Sequence, residues 1–207
     1  MKALVIDAGN KSAYGKELLA MHRLRHRLFV ETLGWKDLAR PDGLDIDAFD
    51  TDAATYLVIL DADGSVRGSA RFLPTTGPHM APEVFAHFFD GDPPRGPTIL
   101  EWSRHAPGDP SWAPDINEAA RVALHLGVLE FARLRGVTAF TAVMETWLLR
   151  RARAIGWPCE PLGPQRAYGE GMAQAVRNPV APGHLDWLRA KVARRDPVLL
   201  FDAAEAA

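Results

Sequence analysis

Hydrophobic and polar residues follow two periods along this chain, one typical of strands and one typical of helices. Apolar side chains at three- and four-residue spacing mark the helices, and short apolar runs between turn-forming residues mark the strands. Residues 158–180 are expected to be irregular or β. The pattern predicts strands over residues 2–7, 56–60, 66–73, 98–103 and 137–144, and helices over 16–33, 84–89, 115–135, 147–155 and 184–194.

The order of these elements indicates a mixed sheet flanked by helices. The Asp-Ala-Asp-Gly turn at residues 61–64 joins the second and third predicted strands into an antiparallel hairpin. Helices separate the other strands, as in folds that contain parallel pairs. We therefore expect an α/β fold of the α+β type, a three-layer α/β/α sandwich around a mixed, largely antiparallel sheet. The sequence has no repeat or linker, so residues 1–207 are expected to form a single domain.

Composition narrows the functional classes. The 24 basic and 26 acidic residues leave a formal charge of -2, which gives no overall attraction to nucleic acid or to an anionic membrane. The single cysteine, Cys159, excludes an intramolecular disulfide and every zinc site built from several cysteines, and no metal is expected. No stretch reaches the ~20 apolar residues that span a bilayer. A cytoplasmic location is therefore the expectation.

Charged residues lie inside predicted core elements, which is unusual. Arg25 shares a helix face with Phe29, Arg71 lies within a strand, and Glu101 and Arg104 bracket Trp-Ser in another strand. Such charges are rarely buried unless they are paired. Each also has an ordinary explanation: a solvated helix face, an outward strand position, or a structural ion pair. The acidic run Asp45, Asp47, Asp50 and Asp52 could likewise cap turns in the long polar segment 35–55.

The ordered set of these residues resembles the signature of the acyl-homoserine-lactone synthases, also called autoinducer synthases. The resemblance covers roughly residues 20–165, and the whole set is far more specific than any one part of it. Its four blocks are Arg25-x3-Phe29-x5-Trp35, Asp47-x2-Asp50, Arg71-Phe-Leu-Pro-Thr-Thr-Gly-Pro and Glu101-Trp-Ser-Arg104.

The resemblance implies a fold similar to the GNAT N-acetyltransferases, with no permanently bound cofactor. It implies two substrates, S-adenosylmethionine and an acyl thioester of coenzyme A or acyl carrier protein. The reaction would acylate the methionyl amine, close the lactone of a quorum-sensing signal and release methylthioadenosine. The residues expected on the S-adenosylmethionine side are Arg25, Phe29, Trp35, Asp47, Asp50, Arg71, Ser103 and Arg104, and those expected to be catalytic are Glu101, Asp47 and Arg104.

The chemistry of the substrates suits these residue types. Aromatic faces attract a sulfonium cation, and arginine forks bind a carboxylate. A free α-amine has a pKa of ~8 and must lose a proton before it attacks a thioester. Glu101 is the expected base, with backbone amides near residues 102–104 as candidate oxyanion donors. How the remaining arginines and carboxylates share the other roles is left open by the sequence.

An apolar tunnel is expected for the acyl chain. Residues 143–147, Val-Met-Glu-Thr-Trp, resemble a subset of the family that takes branched or aryl groups from coenzyme A, although large side chains could also shorten a tunnel for a small fatty acyl group. His105 departs from the pattern, because an apolar or aromatic residue is expected after Arg104. The candidate lining residues are Met80, Trp102, His105, Met144, Trp147 and Leu148.

A carrier protein would require a basic docking patch, since carrier proteins are acidic. Arg133, Arg135, Arg150, Arg151 and Arg153 are candidates, with solvated helix faces as the alternative. Two rival functions remain, a generic acetyltransferase and a non-catalytic S-adenosylmethionine-binding relative. The first should have a glycine-rich pyrophosphate loop before the long helix, and residues 107–115 contain none. The second should have lost part of the charged set, which is complete. The oligomeric state is not predicted.

Overall fold

In the computed structural model, which describes residues 1–154, 156–169 and 171–200, a mixed sheet forms the centre of the molecule. The strand order is β1-β2-β3-β4-β5-β8-β6, and β7 also pairs with β8. Among the described strands only β4 and β5 are parallel neighbours, so the predicted mixed and largely antiparallel sheet is confirmed. The strands are β1 Lys2–Ile6, β2 Thr55–Leu60, β3 Val66–Pro74, β4 Ile99–Ala106, β5 Ala139–Glu145, β6 Glu160–Pro161, β7 Arg166–Tyr168 and β8 Gly171–Pro179.

Five α-helices accompany these strands within the described residues, with three short 3-10 turns between them. The first helix continues into a π-helical segment, Arg27–Thr32. None of the described helices is long and apolar enough to cross a membrane. The α-helices are α1 Gly15–His26, α2 Met80–Glu83, α3 Pro114–Arg135, α4 Thr146–Ala154 and α5 His184–Lys191, and the 3-10 turns are Lys11–Ala13, Lys36–Leu38 and Ala86–Phe88.

Alternating residues of β2 show which helix covers each face of the sheet. Leu57 and Ile59 pack in the cluster that contains α3 and α5, whereas Tyr56 and Val58 pack in the cluster that contains α1. Successive strand residues point to opposite faces, so the helices form separate layers. Gly127 lets α3 approach closely, because a Cβ there would lie only 3.0 Å from the Cβ of Ala3. The expected three-layer arrangement is confirmed.

The predicted boundaries were wrong in two places. The helix predicted over residues 16–33 is α-helical only to His26, after which the π-helical segment inserts an extra residue into the turn. The helix predicted over 84–89 is replaced by α2 and the 3-10 turn, because Phe88 and Phe89 pack into a buried cluster with β8. The stretch after residue 158, expected to be irregular or β, forms three strands, of which β8 pairs along the whole length of β5.

Strands β4 and β5 separate part-way along their length, and this separation positions the site. They pair only from Ile99 opposite Ala139 to Glu101 opposite Thr141, although both strands continue for several more residues. The register between β3 and β4 also shifts in this region, where Arg104 has a φ of +49°. A positive φ is strained for a residue other than glycine, and such residues often lie at functional sites.

Candidate active site

A cavity of about 580 Å³ lies where β4 and β5 separate. Its lining residues come mostly from β4, β5, the π-helical segment, α3 and α4, together with loop residues between them. Aromatic and aliphatic side chains make up most of the lining, with a few charged groups among them. The predicted site residues that line this cavity are Phe29, Trp35, Met80, Glu101, Trp102, Ser103, Arg104, His105, Met144, Trp147 and Leu148.

Glu101 is a buried carboxyl group in the wall of this cavity, with a residue exposure of 3%. Burial raises its pKa to about 7, while hydrogen bonds from the amides of Met80 and Ala81 and the charge of Arg71 act in the opposite direction. The amide of Met80 donates to its Oε2 at 2.7 Å, which holds the carboxyl in place. A carboxyl group with this pKa can accept a proton near neutral pH.

Three arginines and three aspartates form a buried charge network behind the cavity. Arg25 forms ion pairs with Asp45 at 2.8 Å and with Asp50 at 2.9 Å. Arg71 contacts Asp47 at 2.6 Å and Asp50 at 3.0 Å. The guanidiniums of Arg25 and Arg71 thus share the carboxylate of Asp50, and each buried charge has an opposite charge beside it.

Arg104 closes this network on the cavity side. It pairs with Asp45 and with Asp47, each at 2.8 Å, and it also lines the cavity. Its guanidinium lies 5.6 Å from the ring centre of Phe29. Glu101 is not an ion-pair partner of Arg104 in the described structure, which differs from the structural ion pair that the sequence left open. Arg104 is therefore held by aspartates and faces the cavity.

The predicted residues of the S-adenosylmethionine side fall into two groups. Arg25, Asp50 and Arg71 have side-chain exposures of 2% or less, and none of them is among the residues that line the cavity. Asp47 is not among the lining residues either, although 18% of its side chain is exposed. The buried Arg25 and Arg71 lie behind the cavity and form ion pairs with the aspartates that hold Arg104.

Asp45 is a central member of the network that the sequence did not single out. Its Oδ2 accepts hydrogen bonds from both Arg25 and Arg104, each at 2.8 Å. Burial alone would raise the pKa of Asp45, but the two arginines lower it below its ordinary value. Within the acidic run, the sequence resemblance assigned Asp47 and Asp50 to the site and left Asp45 only as a possible turn cap. Its two-residue spacing from Asp47 was the only available signal.

Tyr56 is a second partner that the sequence missed. Its hydroxyl donates to Asp50 at 2.9 Å from strand β2. Burial and the charge of Asp50 raise the pKa of this hydroxyl, so it stays protonated and donates. A tyrosine in a predicted strand carries no sign of this contact, because the contact depends on where the polar segment folds.

Stacked aromatic rings form one side of the cavity. Phe29 and Trp35 stack with ring centres 5.1 Å apart, and Tyr168 meets Trp35 edge-on at 5.8 Å. Tyr168 was not predicted, because it comes from the stretch that the sequence left irregular or β. Aromatic faces beside Arg104 create a surface that can hold a ligand with both a cationic and an anionic group.

All six predicted acyl-side residues line the cavity. Trp102 lies in the wall between β4 and α3, and Trp147 is 45% exposed. His105 faces the cavity and stacks on His125 of α3. The further lining residues His125, Trp157 and Asn178 were missed, since they come from distant elements that meet only in the folded chain.

The basic residues proposed for carrier-protein docking lie mostly outside the cavity lining. Arg151 lines the cavity, whereas Arg153 donates to the backbone oxygen of Cys159 and Arg135 pairs with Asp7. No cluster of three or more metal-binding side chains occurs in the part of the chain that the structure describes.

Comparison with known proteins agrees with this geometry. The autoinducer synthase family model matches residues 10–185. The chain belongs to the autoinducer synthase family. An isovaleryl-homoserine lactone synthase from Bradyrhizobium diazoefficiens is 38% identical, with 76% of this chain and 70% of that protein aligned. An acyl-homoserine-lactone synthase from Pseudomonas chlororaphis is 34% identical, with 77% and 78% aligned. The chain is accordingly an enzyme, an acyltransferase of the acyl-homoserine-lactone synthase class.

Solved structures give the same assignment. A coenzyme-A-dependent acyl-homoserine lactone synthase solved with S-adenosylmethionine and isopentyl-coenzyme A superposes with a TM-score of 0.87 at 32% identity, covering 97% of this chain and 93% of that one. A second coenzyme-A-dependent synthase has a TM-score of 0.87 at 31% identity, with coverages of 97% and 100%. An N-acetyltransferase from Lactobacillus plantarum has a TM-score of 0.51 at 16% identity, which confirms the expected likeness of fold alone.

Proposed function

We propose that this synthase takes its acyl group from a coenzyme A thioester and transfers it to the α-amine of S-adenosylmethionine. The observation that carries the proposal is the buried Glu101 carboxyl, with a pKa of about 7, in the wall of the cavity between β4 and β5. Relatives named as coenzyme-A-dependent synthases support the choice of donor. Both substrates are cytoplasmic metabolites, so we expect the enzyme to work in the cytoplasm as one domain.

In the first step, Glu101 accepts a proton from the amine, directly or through a water molecule. The amine nitrogen attacks the thioester carbonyl, the amide C–N bond forms, and the C–S bond breaks to release coenzyme A. Backbone amides near residues 102–104 are the proposed donors to the oxyanion, since β4 has left its pairing with β5 at this point. The strained backbone of Arg104 lies within this stretch.

In the second step, a carboxylate oxygen of the methionyl group attacks the carbon next to the sulfonium sulfur. The C–S bond breaks with its electrons moving to sulfur, so methylthioadenosine leaves and the lactone closes. A sulfonium is already an activated leaving group, and positioning is the main requirement. Phe29 and Trp35 are proposed to hold the sulfonium, and Arg104 with Ser103 the carboxylate end.

Asp47 is proposed to contact the substrate amine, because its side chain is the most exposed of the three aspartates that pair with the arginines. Arg25, Asp50 and Arg71 are assigned as positioning residues, since they are buried behind the cavity. The buried ion pairs hold Arg104 and Asp47 in place before substrate binds. Such preorganisation reduces the cost of aligning the reacting groups.

The acyl chain is proposed to lie against Met80, Trp102, Met144, Trp147 and Leu148. Two large side chains on β5 and α4, Met144 and Trp147, leave less length for a long fatty chain. A short, branched or aryl acyl group therefore fits best. The isovaleryl-homoserine lactone synthase among the relatives supports a branched group.

The test is to incubate the purified enzyme with S-adenosylmethionine and a panel of acyl-coenzyme A and acyl-carrier-protein thioesters, followed by mass spectrometry. Acyl-homoserine lactone and methylthioadenosine from a coenzyme A thioester are expected. Product only from carrier-protein thioesters would overturn the proposed donor. Acylation of an amine that does not depend on S-adenosylmethionine would favour a generic acetyltransferase. Binding of S-adenosylmethionine without product would favour a non-catalytic relative.

A further inference from the structure

The end of the cavity next to α3 has an unusual wall for an acyl chain. His105 of β4 and His125 of α3 both line it, and their rings stack with centres 5.4 Å apart and planes 16° from parallel. Neither ring forms a hydrogen bond with any residue that the structure describes. A wall for a plain hydrocarbon chain would be made of aliphatic or phenyl groups instead.

Further polar groups beside these rings lack a partner. Among the described residues, no hydrogen bond is formed by the buried Trp102 Nε1, His105 Nδ1 or Asn178 Nδ2. Trp102 meets His105 edge-on at 5.2 Å, and Asn178 also lines the cavity. The Oδ1 atom of Asn178 accepts a hydrogen bond from the thiol of Cys159 at 3.3 Å, which leaves the amide nitrogen of Asn178 available. Buried polar groups in folded proteins nearly always have partners, so this concentration at one cavity wall points to a ligand.

The charge state of the wall defines which ligand it fits. Burial lowers the pKa of His105 to about 4, with the charge of Arg121 acting in the same direction. Burial also lowers the pKa of His125 well below its ordinary value, with smaller contributions from His105 and nearby arginines. Both imidazoles are therefore neutral near neutral pH, and each offers one N–H donor and one acceptor nitrogen. Indole and amide nitrogens add further donors.

We propose that the acyl group transferred by this enzyme carries a hydroxyl group, which enters the wall formed by Trp102, His105, His125 and Asn178. The inference rests on the proposed acyl transfer from coenzyme A. A hydroxyl oxygen accepts from the indole and amide N–H groups, and its proton is donated to an imidazole nitrogen. A hydrocarbon tail of the same shape would leave these groups unpaired, so the wall favours the hydroxylated acyl group over its hydrocarbon counterpart.

The first experiment compares coenzyme A thioesters that differ only by the hydroxyl group. Suitable pairs are hexanoyl with 6-hydroxyhexanoyl and 3-phenylpropanoyl with 3-(4-hydroxyphenyl)propanoyl. For at least one pair, kcat/KM for the hydroxylated donor should exceed that of its partner by about tenfold or more. Equal use of both donors, or preference for the hydrocarbon donor in every pair, would overturn the inference while lactone formation upholds the proposed function. Lactone from none of the donors would overturn both.

Variants then test which side chains form hydrogen bonds with the hydroxyl group. His125→Phe keeps a flat ring against His105 but removes both nitrogens, and Asn178→Leu removes the amide at similar volume. Each should lower kcat/KM for the hydroxylated donor by about tenfold more than it lowers kcat/KM for the hydrocarbon donor. His87→Phe, at an exposed histidine outside the cavity lining, is the matched control. Equal losses for both donors in a variant with normal thermal stability would contradict the assignment of that residue.

Discussion

At the residue scale, opposing effects of the protein set the pKa of Glu101. Burial favours the protonated acid, whereas the amides of Met80 and Ala81 and the charge of Arg71 favour the carboxylate. The resulting pKa of about 7 lies between the ordinary values of a carboxylic acid and of an amine. A base of this strength can remove a proton from an ammonium group and release it again near neutral pH, as one turnover requires.

Substitution of Glu101 separates its catalytic role from its structural one. We predict that Glu101→Gln lowers kcat by about 100-fold or more, because the amide cannot accept the amine proton. The Gln oxygen can still accept from Met80, so the fold should persist. Lactone formation and thermal unfolding are the measurements. A folded variant with full activity would contradict the role of base, and an unfolded variant would contradict the expectation that Gln preserves the contact with Met80.

The raised pKa of Glu101 also predicts the pH dependence. The active form is the carboxylate, so kcat/KM should rise as pH increases through about 7. This acidic limb should be absent from the residual activity of Glu101→Gln. A limb that persists in the variant would assign the titration to another group.

The same pKa shift makes the contribution of Glu101 to stability fall with rising pH, whereas its contribution to activity rises. A carboxyl whose pKa is higher in the folded state stabilises the fold below the ordinary value of 4.5, and this contribution is lost as pH rises through about 7. Thermal unfolding at ~pH 8 should therefore show Glu101→Gln to be at least as stable as the wild type. A clearly lower melting temperature for the variant at that pH would show that the carboxylate is not destabilising there.

At the scale of elements, the charge network joins a long loop to a helix and a strand. Residues 43–54 have little regular structure, yet Asp45 and Asp50 are nearly inaccessible because Arg25 of α1 and Arg104 of β4 pair with them. These ion pairs decide where the loop lies. The loop in turn supplies Asp45 and Asp47 as partners of Arg104, which lines the cavity, so the network connects folding to the geometry of the site.

Substitution of Asp45 tests whether these ion pairs stabilise the fold. We predict that Asp45→Asn lowers the free energy of unfolding by about 3 kcal/mol, because two buried guanidiniums lose their shared charge. Urea unfolding followed by tryptophan fluorescence measures the change. Asp52→Asn is the matched control in the same segment, since the side chain of Asp52 is 76% exposed, and it should change stability by less than about 0.5 kcal/mol. Similar values for the two variants would rule out a structural role for the network.

At the scale of the whole molecule, α3 supports both the site and the last part of the chain. His125 lines the cavity, and Glu130, five residues further along, accepts hydrogen bonds from the amides of Val198 and Leu199, each at 2.9 Å. Arg189 of α5 pairs with the same carboxylate at 2.8 Å. The end of the described chain is thereby held beside β1, where the amide of Ala3 donates to Val198 at 2.7 Å.

Removing this carboxylate should loosen the molecule as a whole. We predict that Glu130→Ala lowers the free energy of unfolding by about 2–4 kcal/mol, since two buried amides lose their acceptor and Arg189 loses its charge partner. Chemical denaturation monitored by circular dichroism checks this value. Arg133→Ala, at an exposed position of the same helix, should stay within about 0.5 kcal/mol of the wild type. A loss in Glu130→Ala no larger than in the control would contradict the assigned role.

The sequence by itself predicted the mixed sheet and the layers of helices, because periodicity records which face of an element is buried. The resemblance of its motifs to the synthase signature placed Arg25, Arg71, Glu101 and Arg104 in one functional set and supplied part of the cavity lining. Neither periodicity nor motif spacing depends on knowing which distant segments meet. Local propensity was weaker near residue 84, where packing of Phe88 and Phe89 against β8 overrode it.

Only the tertiary structure decided how the charges pair and what closes the cavity. Asp45 emerged as the shared partner of Arg25 and Arg104, and Glu101 as a carboxyl held by backbone amides rather than by an arginine. His125 and Asn178 reach the cavity from separate elements. The physical reason is that ion pairing, pKa and cavity shape depend on distances of a few ångströms between segments far apart in sequence. Composition and periodicity carry no record of those distances.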